Sequence, residues 1–589
     1  MDLPELTQAE RRLCEAFPQG RHVVVSPGSE PGADAAGGES WGPERTIRAE
    51  VLRDLLLGEV RPPALLSISG AKIIGQLNLD FMQISFPVQL VGCWFAAPVT
   101  AQWAQLRLLQ LSGSILPGLD LDGSHIDGHL WLSRCRVRGL SAVHASVKGD
   151  VILDGAVLTR RGDEAEAAMV AHNLTVGGGL RARDITVDGG IVLRTGRITG
   201  NLTVDDAHLT GGPGPALHCT GIGLGSALLA RNATVDGEIR LSGGTFAGPV
   251  NLHGATITHP GQVAVAAEHA RLDELLCMTH TTVHGLTRLD AARIAGSLLL
   301  ADARLDNPGD VALDAAAVQA GRVEAERLRA DGTVNLRGAV ISGQVNLAHA
   351  DLSAPASTEP PTAPRAVALR ASSCTIGELW LISSRIQGVL NLRRSQIGQL
   401  YLTPEAARAP IRMDGLTYTS LIPRLPADQR IRTLQADPDG YLPQPYQQLA
   451  ASYLVVGDDA AARAVRLAGQ RRRRATLPWR TRIWGHLLDV TVGYGYHPGR
   501  AARWLTLLTA VGAVVFGLHH PPPLKPGEAP NFNPLIYTLD LLLPIIDFGQ
   551  EKAFKPEGVY QWLSYLLIAS GWILATTVIA GLSRTLSRQ

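Results

Sequence analysis

A hydrophobic repeat of about ten residues runs through most of the chain, from Leu65 to Leu402. Each unit reads Gly-x-Leu-x-Leu, then two polar residues, then a small residue and an Ile or Val, as in Gly128–Val137. Alternation with a period of two predicts short strands, and glycines at fixed offsets predict turns. A fixed period of this kind indicates one structural element stacked on copies of itself.

Two units form a coil of about 21 residues, as in Pro117–Val137. Strands this short do not form sheets alone, so each coil must pair in parallel with the next. The sequence therefore predicts a mainly β fold, in which residues 65–418 form a right-handed parallel β-helix solenoid with inward Leu, Ile and Val. Some 15 coils at the usual strand spacing of ~4.8 Å would give a rod of roughly 70 Å.

Five inserts interrupt the repeat, and their starts lie roughly 48 residues apart, which equals two coils plus an insert. They are Thr159–Ala167, Thr210–Pro215, Thr258–Gln262, Asn307–Asp310 and Ser353–Pro364. Because similar residues precede every insert, we expect all five at one corner of the rod. The inserts are either surface loops that this corner tolerates, without a function of their own, or a row of contacts for a partner.

Residues 1–60 are predicted to form a helical cap with a Gly/Pro linker, because the first coil would otherwise expose unpaired strand edges. Leu6–Phe17 reads as a helix that begins with a capping box. Trp41–Leu57 reads as a second helix, and its apolar face would carry Ile47, Val51, Leu52 and Leu55.

Behind the rod, residues 419–442 are proline-rich and predicted to be an irregular linker. Residues 443–500 are predicted to form a cytosolic helical hairpin and a basic juxtamembrane segment. Residues 501–589 are predicted to form two transmembrane helices with an apolar re-entrant or interfacial segment between them. The first span, Trp504–Leu518, is short, whereas Val559–Leu582 has no charged residue and is long enough to cross a bilayer.

Arginines flank the outer ends of both predicted spans. The basic candidates are Arg471, Arg472, Arg473, Arg474, Arg500 and Arg503. Because an arginine excess marks the cytoplasmic side, we expect a multi-pass protein of the plasma membrane with both termini in the cytoplasm. The segment Met1–Phe17 has no apolar secretory core, which agrees with a cytosolic solenoid. A formal net charge of +1 gives no reason to expect a nucleic-acid partner.

Six cysteines are scattered singly, without a CxxC pair. Cys93, Cys135 and Cys374 fall at the small inward position of the repeat, which predicts buried free thiols. A weak candidate metal site consists of Cys277, His280 and His284. Zinc or copper would also need converging geometry and, in most sites, a fourth ligand.

Asp540 lies in the otherwise apolar run Pro534–Phe548, between the predicted spans. Ionisable groups at membrane depth tend to be functional, so Asp540 is a candidate polar site; the alternative is an interfacial helix. Thr491–Gly495 has the sequence of a potassium-channel selectivity filter. Such a filter lies between two membrane-spanning helices, and no spanning helix is predicted before this segment. We therefore predict that it is a cytosolic bend leading into the first span. The sequence has no Walker loop or nucleophile elbow, and no cofactor is predicted.

Several segments carry a resemblance that covers essentially the whole chain. They are Trp41–Thr46, Ala371–Trp380, Asn391–Arg394, Gly457–Arg463, Gly493–Tyr496 and Phe532–Gly549. With them the chain resembles an actinobacterial family of membrane-anchored β-helix proteins with a divergent pentapeptide-like repeat. Members are often labelled membrane-associated oxidoreductases. The resemblance implies an anchored solenoid, and the label places no catalytic residue on this sequence.

Three functional hypotheses follow. The first is a non-catalytic scaffold or protein-interaction module, anchored in the lipid bilayer, that binds a cytosolic protein of unknown identity. The second is a channel-like or signal-transmitting homo-oligomer whose helices around Asp540 line an opening. The third, which depends on the family label alone, is a membrane-associated oxidoreductase.

Overall fold

The computed structural model describes residues 6–25, 35–58, 65–162, 167–354, 366–476, 478, 498–525, 527–543 and 545–586, with the backbone alone at 498–501 and 577–586. The chain divides into two compact units, Met1–Arg424 and Leu425–Gln589. The described part of the first unit is mostly β-strand, and that of the second is mostly helix.

The first unit is a parallel β-solenoid of about 16 turns, which confirms the predicted mainly β fold. Leu109 pairs in parallel with Leu130, and Leu130 with Val151, so a turn without an insert occupies about 21 residues. Inward side chains such as Leu132 and Val137 are buried, as the alternating pattern predicts. The strands therefore stack turn on turn around one continuous apolar core.

The first sheet has 26 strands in two parallel rows, together with the N-terminal strand Val23–Val24. One row comprises Leu66–Ser69, Val88–Val91, Leu109–Gln110, Leu130–Trp131, Val151–Ile152, Leu180–Arg181, Leu202–Thr203, Leu228–Leu229, Val250–Asn251 and Leu276–Cys277. The other row comprises Gln83–Ile84, Gln105–Leu106, His125–Ile126, Ser146–Val147, Thr175–Val176, Arg197–Ile198, Gly223–Leu224, Thr245–Phe246 and Arg271–Leu272. The rows then merge into Arg293–Leu299, Gln319–Glu324, Val340–Asn346, Thr375–Leu381, Gln396–Leu402 and Thr417–Ile422.

The second sheet has 25 strands, also in two rows, together with Thr46–Arg48. One row comprises Lys72–Ile74, Trp94–Phe95, Ile115–Leu116, Arg136–Arg138, Val157–Thr159, Thr186–Asp188, His208–Thr210, Thr234–Asp236, Asp351–Ser353 and Arg385–Gln387. The other comprises Val99–Thr100, Leu119–Asp120, Leu140–Ser141, Met169–Val170, Ile191–Val192, Leu217–His218, Ile239–Arg240, Val367–Arg370, Val389–Asn391 and Ile411–Arg412. Strands that run through both rows are Thr256–Ala266, Thr282–Arg288, Arg304–Asp314 and Arg329–Asn335.

Each regular turn of the solenoid has four corners. Two are tight β-turns with a left-handed residue at their third position, such as Arg134 (φ 55°) and His144 (φ 56°). A third corner joins the two rows of the first sheet, and we call it the glycine corner. Its glycines are Gly128, Gly149, Gly178, Gly200, Gly248, Gly296, Gly321, Gly343, Gly377 and Gly398. The fourth joins the two rows of the second sheet and is the insert corner.

The predicted inward position of three cysteines is confirmed. Cys93, Cys135 and Cys374 are all buried, and the Cys135 thiol donates a hydrogen bond to the Leu111 carbonyl oxygen at 2.9 Å. Burial raises the pKa of Cys93 and of Cys135 to about 12. These thiols are therefore protonated near neutral pH and act as small core side chains.

The N-terminal cap is partly as predicted. Helix α1 (Gln8–Ala16) begins with the predicted capping box, in which Thr7 and Glu10 bond each other's backbone N–H groups. Helix α2 is shorter than predicted, Ala49–Leu57, because Thr46–Arg48 instead forms a strand that pairs with Lys72–Ile74. Of the predicted apolar face, Val51 and Leu52 are buried in α2 as expected. The prediction was wrong for Ile47, which lies in the strand, and for Leu55, which is only half-buried, whereas Leu56 is buried. Short 3-10 helices occupy Phe17–Gln19, Ala35–Ser40, Pro43–Arg45 and Ala406–Arg408.

The second unit begins with helix α3 (Ala427–Gln435), which lies in the segment predicted to be an irregular linker. The predicted hairpin is present as α4 (Pro443–Val455) and α5 (Asp459–Ala475), and the side chain of Asp458 caps α5 by accepting from the N–H of Ala461 at 2.9 Å. Three further helices are α6 (Pro498–Leu518), α7 (Pro534–Leu542) and α8 (Val559–Leu586).

Helices α6 and α8 coincide with the two predicted transmembrane helices. Over the side chains that the structure describes, no helix has the combination of length and apolar character that crossing a bilayer requires. The two transmembrane helices therefore stay a prediction.

Candidate interaction surfaces

The described ends of all five inserts lie at the insert corner, as predicted; residues 163–166 and 355–364 of the first and fifth inserts lie outside the described residues. The residues at which the inserts begin pair through one ladder, in which Thr159 is two turns from Thr210, and Thr210 is two turns from Thr258. Asp306 and Ser353 continue the same ladder. Every second turn therefore has an insert at this corner.

The turn that follows each insert passes this corner through glycine. These glycines are Gly189, Gly237, Gly285, Gly332 and Gly388, with φ between 114° and 140°. At Gly332, a Cβ atom would lie 2.7 Å from the carbonyl oxygen of Asn307 and 2.8 Å from that of Asp310. The insert backbone therefore lies directly against the next turn, which accommodates it only without a side chain. This alternation was not predicted, although each of these turns has a glycine at the same position of the repeat.

The three candidate metal ligands lie on one turn but not at one point. Cys277 is on the first sheet and contacts the Thr279 hydroxyl at 3.3 Å. His280 is a left-handed turn residue whose ring lies 5.4 Å from the ring of His253. His284 is on the second sheet, at the insert corner. Within the described ranges, no three His, Cys, Asp or Glu side chains are placed to hold a metal ion.

A groove of about 760 Å³ runs along the glycine corner of the last six turns. The absence of side chains at the corner glycines opens it, and polar side chains from the next position line one side. We call it the polar groove. Its polar residues are Ser297, Arg322, Ser342, Gln344, Glu378, Gln399 and Thr419. Five successive turns supply a polar side chain from equivalent positions, whereas on the sixth turn Thr419 stands at the position of the corner glycine.

Hydrogen bonds hold the polar side chains of this groove in fixed positions. The Arg322 guanidinium donates to the Ser297 hydroxyl at 2.8 Å. On the outward ladder beside the groove, the Trp380 indole N–H donates to the Glu378 carboxylate at 2.9 Å. The Trp380 ring lies 4.9 Å from that of Tyr401, centroid to centroid. The groove therefore presents ordered polar groups next to an aromatic pair.

Asp540, the predicted polar site between α6 and α8, is 4% exposed. Its carboxylate accepts hydrogen bonds from three backbone N–H groups, those of Phe548 at 2.8 Å, Gln550 at 2.8 Å and Glu551 at 2.7 Å. Both oxygens are therefore occupied, and Asp540 fixes the loop that follows α7. Burial, and then the nearby Asp540 carboxylate, raise the pKa of Glu551.

Helices α6, α7 and α8 pack around a small cluster that includes Phe516, Tyr537 and Leu567. Gly571 of α8 lies so close to α7 that a Cβ atom there would meet the Leu542 carbonyl carbon at 2.8 Å. The outer sides of α6 and α8 expose large apolar side chains. These are Trp504, Leu507, Val511, Val514, Leu518, Val559, Trp562, Tyr565, Leu566 and Trp572.

The predicted basic segment is only partly described. Arg471–Arg474 lie in the last turns of α5, and Arg503 is an exposed residue of α6. The backbone of Arg500 lies in α6, but its side chain is outside the described residues. The filter-like string at 491–495 also lies outside them.

No protein-family model, no curated protein and no solved structure matches this chain. The resemblance to actinobacterial membrane-anchored β-helix proteins therefore stays a prediction.

Proposed function

We propose that this protein is a membrane-anchored scaffold whose polar groove binds an extended segment of a partner protein. The observation that carries the proposal is the groove itself, an open trough with hydrogen-bonded polar side chains on five of its six turns. Six turns at ~4.8 Å spacing extend over about 24 Å, the length of about seven residues of extended chain.

The chemistry of the groove supports an extended peptide. The Gln344 amide group donates to Glu324 at 2.6 Å, and the Gln399 amide oxygen accepts from the Tyr401 hydroxyl at 3.0 Å. The Gln344 oxygen can still accept from the N–H group of a bound backbone, and the Gln399 NH2 group can still donate to its carbonyl. Arg322 and Glu378 bring opposite charges, which favour a partner with both signs. The Trp380–Tyr401 pair provides an aromatic contact of the kind that is common at the centre of protein interfaces.

Anchoring is supported by the helical unit. Helix α8 has 28 residues, about 42 Å at the rise of an α-helix, and its sequence from Val559 to Leu582 contains no charged residue. The exposed apolar side chains of α6 and α8 would be costly in water but not in lipid. We therefore propose two membrane crossings with both termini in the cytoplasm. For the solenoid we propose right-handed coiling, the sense in which parallel strands are usually connected.

The other two hypotheses draw less support. Both carboxylate oxygens of Asp540 are engaged by backbone N–H groups, so this residue is not presented to an opening. For an oxidoreductase, no feature of the described residues supplies a positive argument.

Photocrosslinking in native membranes tests the scaffold. Benzoylphenylalanine would replace Gln344 in the groove or, as a control, Arg329, an exposed residue of the second sheet. We expect a specific partner to crosslink at position 344 and not at 329. The purified partner should bind a variant carrying Arg322→Ala, Gln344→Ala and Glu378→Ala at least about tenfold more weakly. Equal crosslinking at both positions, or unchanged affinity of the triple variant, would overturn the proposal.

A further inference from the structure

A second cavity, of about 580 Å³, lies between helices α4 and α5. Its polar lining consists of Tyr441, Tyr446, Gln447, Arg466, Gln470 and Arg473. All these residues belong to the helical unit, so the cavity is separate from the polar groove of the solenoid.

One face of α5 forms half of the cavity. Arg466, Gln470 and Arg473 are spaced by four and three residues, which places them on the same side of the helix. Gly469 lies between them, and a Cβ atom there would lie 3.2 Å from Cγ of Tyr446. The missing side chain lets α4 approach closely and leaves the space between the two arginines open.

The charges of the cavity are unbalanced. Arg466 and Arg473 have no ion-pair partner among the described residues, and no described acidic side chain lines the cavity. In the solenoid, by contrast, Arg231 and Arg327 each bind a carboxylate. Two guanidinium groups that face one space repel each other unless an anion lies between them.

A buried phenol adds an unsatisfied donor. Tyr446 is 5% exposed, and its hydroxyl has no hydrogen-bond partner within the described part of the chain. An unpaired buried hydroxyl is unfavourable, and a bound acceptor would satisfy it. Burial raises the pKa of Tyr446 and of Tyr441, so both phenols stay neutral and can donate. Their rings, 5.7 Å apart, offer an aromatic surface beside the arginines.

We infer that this cavity binds a phosphate monoester, with the phosphate between Arg466 and Arg473. Guanidinium groups donate to phosphate oxygens in pairs, and a phosphate carrying up to two charges at neutral pH matches two arginines. Gln447 and Gln470 can bond the hydroxyl or ester oxygens of the remainder of the ligand. The volume exceeds that of inorganic phosphate, so an organic group fits beside it. The phosphate can come from a soluble ester or from a lipid headgroup.

Calorimetric titration of the full chain in detergent micelles tests the site, with inorganic phosphate and short-chain phosphatidic acid as separate probes. We expect at least one to bind, and Arg466→Gln with Arg473→Gln to weaken it about tenfold or more. Arg463→Gln is the matched control, since Arg463 is exposed on α5 and does not line the cavity. Binding of both probes would indicate that the phosphate alone suffices, whereas binding of phosphatidic acid alone would indicate a lipid headgroup.

Tyr446→Phe gives a second readout. It should weaken binding severalfold while leaving the thermal unfolding midpoint unchanged or higher, because it removes an unpaired buried hydroxyl. Absence of binding by both probes would overturn the inference, and so would an equal loss in Arg463→Gln.

Discussion

The insert corner and the glycine corner lie on the same turns of the solenoid but tolerate very different sequences. At the insert corner, every second turn carries extra residues and the turns between them pass through glycine. At the glycine corner, most turns have glycine and successive backbones touch directly, as where the N–H of Gly149 donates to the Gly128 oxygen at 3.0 Å. The difference shows that a repeat constrains each corner by what the next turn places against it.

The first test, for which we expect the largest effect on stability, lengthens each corner by the same four residues, Gly-Ser-Gly-Ser. When they are inserted between Pro308 and Gly309, at the tip of an exposed insert, we expect the free energy of unfolding to fall by less than about 1 kcal/mol, because the entropy of loop closure depends weakly on loop length. After Gly321, the added residues would separate Ala320 from Val323 and break their pairing with the neighbouring turns. There we expect a loss of several kcal/mol.

Urea-induced unfolding, followed by circular dichroism, measures both variants. Equal losses at the two corners would contradict the distinction between them.

The second test adds one methyl group at the insert corner. In Gly332→Ala, the new Cβ atom would meet two carbonyl oxygens of the preceding insert, at 2.7 and 2.8 Å, and the backbone would keep a φ of 130° that alanine rarely adopts. We expect a loss of more than about 3 kcal/mol. Gly214→Ala is the control, since Gly214 lies in an insert and a Cβ atom there has nothing within 4 Å. A loss as small as that of the control would show that the insert can move away.

The third test adds the same methyl group at the glycine corner. In Gly343→Ala, the Cβ atom would lie 2.8 Å from the Gly321 oxygen, almost the same distance as at Gly332, but φ lies outside the left-handed region. Gly343→Ala therefore has the same close contact as Gly332→Ala but not its backbone strain. We expect the free energy of unfolding to fall by a smaller amount, about 2 kcal/mol. If Gly343→Ala costs as much as Gly332→Ala in the same unfolding experiment, close contact alone explains both corners.

These corners also show how far the sequence predicts the structure. The coil length, the inward cysteines and the common position of the inserts follow from spacing, because a stacked repeat turns equal spacing into equal position. The strand at Thr46–Arg48 was missed because Ile47 fits the apolar face of a helix as well as a strand that pairs with the first coil.

The cavity of the helical unit could not be predicted in the same way. It depends on the approach of Tyr446 to Gly469, a contact between two helices that no period in the sequence encodes. The arginine run was recognised as basic, but only the fold separates Arg473, which lines the cavity, from its neighbours. Asp540 was likewise noticed for its charge, whereas its role depends on three backbone N–H groups that lie 8 to 11 residues away.

The smallest expected effect concerns the two remaining corners, the tight β-turns, and it has the opposite sign. Ala291 occupies the left-handed position of such a turn, with a φ of 54°, where any side chain costs about 1 kcal/mol or more. Ala291→Gly should therefore stabilise the solenoid by about 0.5–1 kcal/mol, after the greater freedom of glycine in the unfolded chain is subtracted. The neighbouring Ala292→Gly is the matched control, since Ala292 is buried with an ordinary φ and its loss should destabilise. If both substitutions destabilise the protein, the alanine methyl group stabilises the left-handed turns by more than the backbone strain destabilises them. Backbone geometry would then limit the sequence only at the glycine and insert corners.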